Sequence, residues 1–398
     1  RLDCGLARTG GELVAFRALQ GVCNAMAIPA SISVISTSVA KGRSRNLGFA
    51  CLGFSGPLGS LLGLVLSGVF VDSVGWRPVF YLVAASSFAL CGLGLWVLPR
   101  NVQCQADRSR SIRKQLMFDI DWVGTLLVGF GLATISYVLA MLSSDTHKIR
   151  RNPNMALLVL GISCIPASIC WMSYRVKHDR PALIPNALWR DASFTSVCVM
   201  IAFANAVING MELYSGLFFQ QVQAISALEA SLRILPALVM AVMANITCGC
   251  FVNRMPVMWV VVVSSALSAV LPLLMALVKP EWSYWNMAFV AQVLQPLSTN
   301  VLFTIDILVI SAVFSPRTQA LGGAVLNTCS QLGTSIGLTI TAVVTDSRTA
   351  ATTSDDLSHT LMVGYRLAFR VLFGWMVLVC LAGALGLRNI GKIGTKQD

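Results

Sequence analysis

The sequence predicts an all-α, polytopic membrane protein built from two pseudo-symmetric helix bundles, and three observations support this fold class. Of the 398 residues, 56% are hydrophobic and only 12% are charged, with a mean hydropathy of +0.74. An average soluble domain has about 25% charged residues. Apolar runs of about 20 residues, the length that crosses a bilayer as a helix, recur along the chain. One long stretch is also present twice.

Eleven apolar runs are long enough to be membrane spans. They lie near residues 13–38, 46–70, 78–98, 121–143, 155–174, 193–219, 230–252, 257–278, 284–311, 319–345 and 365–387. Basic residues concentrate in alternate loops, seventeen on one side against eight on the other. Because loops rich in Lys and Arg stay in the cytoplasm, the first span runs toward it. The net charge of +12 thus predicts contact with anionic lipid and no nucleic-acid partner.

Residues 43–73 and 317–347 are two copies of one stretch that align without a gap. Twelve of the 31 positions are identical, among them the pairs Gly59 and Gly333, Gly63 and Gly337, and Asp72 and Asp346. Each copy begins with an arginine and ends next to an aspartate, so both copies cross the membrane in the same direction. Parallel membrane repeats of this kind are typical of secondary transporters.

The positions of the two copies predict the domain organisation. They lie on the second and tenth spans; if two of the spans between them are an insertion, symmetry of the two units requires three further spans ahead of residue 1. We therefore expect an N-terminally truncated chain with about eleven spans of fourteen. The predicted segments are 1–98, the remainder of the N-terminal bundle; 99–120, a basic cytoplasmic linker; 121–190, two inserted spans and a loop; 191–388, a C-terminal six-helix bundle; and 389–398, a cytoplasmic tail.

The first span carries a polar stripe. Arg17, Gln20, Gly21 and Asn24 follow helical spacing and therefore share one face. An arginine at membrane depth usually faces a partner or a watery cavity and marks an ion or proton path. We predict that Arg17, Gln20 and Asn24 line the proton or substrate pathway. The alternative is that Arg17 lies near the outer end of its helix and extends to the lipid headgroups.

The second span carries a face of small residues. Gly53, Gly56 and Gly63 lie on this face, Gly59 lies on its flank, and Pro57 favours a bend. Small residues let another helix approach closely, so we predict a sliding contact that couples the two halves. Generic helix packing is the alternative.

The tenth span holds the second copy and is more polar. It has Gly333 and Gly337 at positions matching glycines of the first copy, while Gln331 replaces Pro57. We expect the two glycines to take part in the sliding contact, and Asn327 and Gln331 to line the pathway.

Other polar side chains at membrane depth are candidates for the substrate or proton pathway. Asn205, Asn209 and Glu212 follow helical spacing in the sixth span, and Asp306 lies late in the ninth. A carboxyl group in hydrocarbon favours its protonated form, which makes it a natural proton carrier. We predict that Glu212 is this carrier, because its span contains no basic residue; the alternative for Asp306 is a solvated position at the cytoplasmic end. Further candidates are Gln220, Gln221, Gln292, Gln295 and Asn300.

Three motifs resemble those of the major facilitator superfamily. Residues 13–21, LVAFRALQG, resemble its fourth-helix motif, and residues 53–59, GFSGPLG, resemble its fifth-helix antiporter motif. The turn at 75–81, GWRPVFY, is similar to that of the fourteen-span drug:proton antiporter family. The run 312–341 looks most like the fungal members related to aminotriazole-resistance and low-affinity ammonium transporters. The sequence departs from the family by lacking the loop motif between its second and third helices, and by Ser60 where many antiporters have a second glycine.

The resemblance implies a secondary transporter whose halves alternate around a central substrate. We predict proton-coupled efflux of a drug, toxin or secondary metabolite. Transport of a small polar solute such as ammonium or borate is the alternative, and a non-transporting remnant or sensor is a third. The expected partners are a small-molecule substrate, protons and the lipid bilayer. We expect a monomer in the plasma membrane, with the vacuolar membrane as the alternative.

No motif in the sequence indicates an enzyme, a cofactor or a metal site. The chain lacks a GxxxxGK[ST] phosphate loop and a Ser/His/Asp hydrolase pattern. Its three histidines lie far apart, and its twelve cysteines lie mostly in apolar runs, where they act as small apolar residues. We therefore predict no catalytic residue, cofactor or metal. Glu229 and Arg233, four residues apart at a helix start, predict a local ion pair.

Overall fold

A computed structural model shows a helical chain and describes residues 2–39, 43–97, 121–144, 152–178, 189, 191–251, 257–303, 305, 319–352 and 357–388. Its helices are α1 (Leu2–Leu6), α2 (Gly10–Ser38), α3 (Arg43–Ser73), α4 (Arg77–Val97), α5 (Trp122–Ser144), α6 (Asn152–Lys177), α7 (Ala192–Leu217), α8 (Ala227–Phe251), α9 (Val257–Leu277), α10 (Ala288–Leu294), α11 (Gln319–Ala350) and α12 (Leu357–Gly386). A π-helical turn, Phe218–Val222, extends α7.

A helix lies at each of the eleven predicted spans, which confirms an all-α polytopic membrane protein. Among the described residues, eight helices are long and apolar enough to cross a membrane: α3, α4, α5, α6, α7 with its π turn, α8, α9 and α12. α11 is 32 residues long, but it carries the polar copy of the repeat, which lowers its hydropathy. The ninth predicted span is described as a shorter apolar stretch from Ala288 to Phe303.

The second half of the chain, from α7 to α12, packs around one hydrophobic core. Its fully buried side chains include Phe194, Met211, Phe218, Phe369 and Met376. α7 packs against α11 and α12, and α9 packs against α12. Because lipid is as apolar as these side chains, such a bundle depends on close van der Waals packing and on hydrogen bonds between helices.

The two predicted inserted spans, α5 and α6, form a helical hairpin that lies against α11. Asp121, the residue directly before α5, is buried. Its Oδ1 atom accepts hydrogen bonds from the Gly124 N–H and from Nε1 of Trp171 on α6, both at 2.9 Å. Arg175 Nε lies 4.0 Å from the same oxygen. One carboxylate thus begins α5 and ties it to α6.

The helices of the first half are more exposed than those of the second. Only 6% of the most apolar window of Cys51–Ser73 is buried, against 50% for Ala192–Val222. α3 nevertheless packs along α8 of the second half, and α2 approaches α11. The first half is therefore attached to the second mainly through α3.

The GWRPVFY turn, residues 75–81, joins α3 to α4 and contacts the N-terminal segment that precedes α2. Gly75 has a φ of +98°, a conformation that glycine adopts readily, and it lets the chain reverse between α3 and α4. Arg77 Nη2 then donates to the Ala7 carbonyl at 3.3 Å, and the Tyr81 hydroxyl donates to the Gly5 carbonyl at 3.0 Å. The motif thereby holds α1 against α4.

Candidate functional site

A polar seam joins α7 and α11. Asn209 Nδ2 donates to Oγ1 of Thr334 at 3.3 Å and to the Asn205 carbonyl at 2.8 Å. Asn205 Nδ2 donates in turn to the Ile201 carbonyl at 2.9 Å. The structure therefore brings two predicted pathway residues of the sixth span next to the second copy of the repeat.

Two glycines of α11 let the helices touch beside this seam. A Cβ atom on Gly333 would collide with the Ala202 carbonyl, and one on Gly337 would lie 2.5 Å from the Ala206 Cβ. These glycines pack closely, but against α7 of their own half and not against the first half as expected. The hydrogen bond between Asn209 and Thr334 explains the difference, because it directs this face of α11 toward α7.

An apolar cavity of about 340 Å³ opens between α7, α11 and α12. Trp189, Phe203 and Trp375 supply aromatic surface, and Gly333 and Gly337 lie in the wall where α11 touches α7. This volume lies within the range of about 300 to 1,000 Å³ for ligand pockets. The sequence did not single out these aromatic residues, because an aromatic side chain in an apolar span is also an ordinary packing residue.

A smaller cavity of about 200 Å³ lies between α5 and α11. Ser136, Thr328, Gln331 and Ser335 contribute polar groups to its wall, beside the apolar side chains of Leu132, Ala133 and Leu332. Gln331, a predicted pathway residue, is here, and Asn327 lies half-buried on the preceding turn of α11. Ser136 was not predicted, because a single serine in an inserted span carries no pattern.

Glu212 lies on α7 three residues beyond Asn209. Its side chain is exposed at the surface of the protein, and it forms no salt bridge with a described residue. It is therefore an acidic group within a membrane span that no described basic side chain neutralises. Asp306, the other predicted acidic candidate, lies outside the described residues.

The polar stripe of α2 faces the first half and not the seam. The Arg17 guanidinium lies 4.9 Å from the centre of the Phe80 ring on α4. Gln20 Oε1 accepts a weak hydrogen bond from the Cys4 thiol at 3.9 Å, and Asn24 is exposed. These contacts separate Arg17, Gln20 and Asn24 from Asn205 and Asn209, so a pathway role for the stripe stays a prediction.

The face of α3 that packs on α8 differs from its glycine face. No atom of a described residue lies within 4 Å of a Cβ atom built on Gly56, Gly59 or Gly63, so these glycines make no close contact with a described helix. The packed face carries Leu64, which joins the hydrophobic core, and Gly68. Leucine offers more apolar contact area than glycine, and this accounts for the packing of the Leu64 face of α3 on α8 in place of the glycine face.

One predicted contact of α3 with the second half is present in its third turn. A Cβ atom on Gly53 would lie 3.3 Å from the Phe303 ring of the second half. Pro57 lies inside the helix and is half-buried. Of the glycines expected to couple the halves, only Gly53 contacts the other half among the described residues.

A network of polar and aromatic groups closes the other end of the second half. The predicted ion pair is confirmed, with Arg233 Nη2 at 2.6 Å from Glu229 Oε1. Arg233 Nη1 also donates to Gln223 Oε1 at 2.5 Å, and the Tyr284 hydroxyl donates to the Arg233 carbonyl at 2.8 Å. Burial raises the pKa of Tyr284 to about 12, although the charge of Arg233 acts in the opposite direction.

The remaining polar candidates lie in the bundle of the second half. Gln292 is fully buried, and neither of its amide atoms has a hydrogen-bond partner among the described residues. Gln295 Nε2 donates weakly to the Ile208 carbonyl at 3.4 Å, and Gln221 Oε1 accepts from the Tyr365 hydroxyl at 2.6 Å. These contacts join helices of the second half, and the Gln295 bond ends on the α7 residue directly before Asn209.

Similarity to known proteins agrees with this architecture. The sequence profile of the Major Facilitator Superfamily matches residues 4–247. MFS-type transporter 1 of Pyricularia oryzae is 38% identical, over 100% of this chain and 72% of that protein. The low affinity ammonium transporter of Saccharomyces cerevisiae is 23% identical, over 82% of the chain and 62% of that protein. Efflux pump terJ of Aspergillus terreus is 25% identical, over 82% of the chain and 61% of that protein. The chain therefore belongs to the Major Facilitator Superfamily of membrane transporters.

Proposed function

We propose that the protein is a proton-coupled exporter of amphipathic organic molecules such as a drug, toxin or secondary metabolite. The observation that carries this proposal is the composition of α7. This helix presents amide groups to the seam, apolar surface to a cavity, and the acidic side chain of Glu212, which forms no salt bridge with a described residue. The similarity to efflux pump terJ supports export of an organic molecule.

The two kinds of surface fit the two parts of an amphipathic substrate. Trp189, Phe203 and Trp375 suit an apolar ring system, because aromatic side chains bury large areas. Asn209 lies on the same helix; its Nδ2 already donates to Asn205 and Thr334, so its amide oxygen would be the group that accepts a hydrogen bond from the substrate. Substrate contact with α7 and α11 would also join the substrate to the second copy of the repeat.

Glu212 is the proposed proton carrier. A carboxyl group within a membrane span costs less when it holds a proton, and such groups mark proton relays in transporters. A proton taken up from outside and released to the cytoplasm would drive one cycle of export as the two halves rock about the substrate. We further propose that a monomer does this in the plasma membrane.

The proposal is tested with purified protein in liposomes that carry a pH gradient, with rhodamine 6G as the substrate. We expect Glu212→Gln to abolish gradient-driven dye transport and to retain dye exchange between equal pools, since only the proton step is removed. Glu229→Gln is the matched control, because Glu229 belongs to an ion pair outside the seam. Gradient-driven transport by Glu212→Gln at the wild-type rate rules out this carrier.

Transport of a small polar solute such as ammonium is a second candidate function, which the four polar side chains in the wall of the small cavity between α5 and α11 favour. The similarity to the low affinity ammonium transporter supports it as well. Two variants separate the candidates. Export of amphipathic molecules requires that Trp375→Ala reduces dye transport and that Gln331→Leu leaves it intact. Transport of polar solutes requires instead that Gln331→Leu reduces methylammonium uptake and that Trp375→Ala does not.

A further inference from the structure

The outer end of α3 meets the first turn of α8 through a polar contact between the two halves. Asp72 Oδ2 accepts a hydrogen bond from the Leu228 backbone N–H at 2.9 Å. Leu228 is the second residue of α8, where backbone N–H groups have no partner within the helix. The partial positive charge of a helix N-terminus also attracts the carboxylate.

This contact is additional to the local cap of α8. Ser226 Oγ accepts from the Glu229 N–H at 3.2 Å, and the Ser226 carbonyl accepts from the Ala230 N–H at 3.0 Å. The helix therefore begins without help from the first half. The bond to Asp72 can break without unwinding α8, which suits a contact that opens and closes.

A close approach of the two helices lies one turn before Asp72. A Cβ atom on Gly68 would lie 3.0 Å from the Ser231 Oγ and 3.1 Å from the Leu228 Cα. Gly68 and Asp72 are four residues apart and share a face of α3, so the steric contact and the hydrogen bond act together. Along the glycine face of α3, by contrast, Gly63 has nothing within 4 Å of its Cβ position.

We propose that Gly68 and Asp72 form a latch that holds the two halves together at the outer end of α3. Breaking the latch would let α3 and α8 separate there, as a transporter that opens to the outside requires. The latch proposal assumes that the two halves move relative to each other, and it does not depend on which substrate is carried. Removing a helix-capping side chain typically shifts an equilibrium about fivefold, and we expect a change of this size.

Distance measurements between spin labels test the latch in the purified chain. Labels on p-acetylphenylalanine at positions 74 and 281 report the outer end of α3 and the loop after α9, and they avoid the native cysteines. In nanodiscs without substrate or pH gradient, Asp72→Ala should raise the ratio of long to short distances about fivefold. Gly68→Leu should raise it as well, because the larger side chain forces the helices apart.

Two control variants complete the experiment. Asp346→Ala removes the repeat equivalent of Asp72, and Gly92→Leu adds the same bulk to α4 where nothing lies within 4 Å. Both should give the wild-type distances. An unchanged distribution in Asp72→Ala overturns the latch, and so does an equal change in Asp346→Ala. Because no transport is measured, failure of the export proposal leaves this test intact.

Discussion

Single residues decide how closely α7 and α11 approach. Gly333 and Gly337 remove side chains where backbones meet, and the amide of Asn209 then reaches Thr334 across the gap. In lipid, small residues and hydrogen bonds replace the hydrophobic effect as the main attraction between helices. The same glycines lie in the wall of the apolar cavity, so helix packing and the cavity share these positions.

The two copies of the repeat should respond differently to the same substitution. Gly333→Ala places a Cβ atom against the Ala202 carbonyl, and we expect a loss of about 1 to 3 kcal/mol in unfolding free energy. Gly59→Ala, at the equivalent position of the first copy, meets open space and should be neutral or slightly stabilising. Thermal unfolding in detergent measures both. Equal destabilisation would contradict the asymmetry of the two copies.

Tyr284 should ionise at a higher pH than an ordinary tyrosine. Its pKa of about 12 in the folded protein exceeds the usual tyrosine pKa of about 10. Burial of the neutral phenol therefore adds stability that is complete below the unfolded pKa and is lost as the pH rises through the folded pKa. The difference in tyrosinate absorbance between the wild type and Tyr284→Phe should have its midpoint near 12. A midpoint near 10 would show that the phenol is not buried.

Helical spacing placed Asn205 and Asn209 on one face of α7, and the structure agrees. Spacing does not identify which helix packs against that face, however. Neither the bond from Asn209 to Thr334 nor the packing of the glycine face of α11 on α7 was therefore predictable. The acidic end of each repeat copy was visible in the sequence as the identical pair Asp72 and Asp346. Of these two aspartates, only Asp72 has a described bond to a helix N-terminus. This difference depends on the surroundings of each copy.

At the scale of helices, the apolar runs and the repeat predict most of the observed elements. The first copy, 43–73, coincides with α3, and the inserted spans are the hairpin of α5 and α6. The side of α3 that contacts α8 was predicted incorrectly. A face of glycines can lie against either a neighbouring helix or lipid. The adjacent leucines are just as apolar and offer α8 more contact area.

The hairpin of α5 and α6 should depend on its buried carboxylate. Asp121→Ala removes the acceptor for Gly124 and Trp171, and Trp171→Phe removes one donor. In a double-mutant cycle, we expect the two changes to couple by about 0.5 to 3 kcal/mol in unfolding free energy. Additive losses would show that the bond between Asp121 and Trp171 contributes nothing to the hairpin.

At the scale of the whole molecule, the two halves meet along α3 and α8, while the candidate pathway lies within the second half. α7 and α11 are therefore the elements through which substrate contact and proton binding would act on each other. Movement of α3 against α8 would change which side of the membrane reaches them. The proposed export would therefore require both the seam and the contact between the halves.

Substrate-driven proton movement tests proton-coupled export most directly. Liposomes that contain the purified protein and a trapped pH indicator receive rhodamine 6G without an imposed gradient. We expect the wild type and Glu229→Gln to move protons against the dye, and Glu212→Gln to bind the dye without changing the internal pH. Wild-type proton movement by Glu212→Gln, or dye transport by the wild type without proton movement, would contradict the assignment.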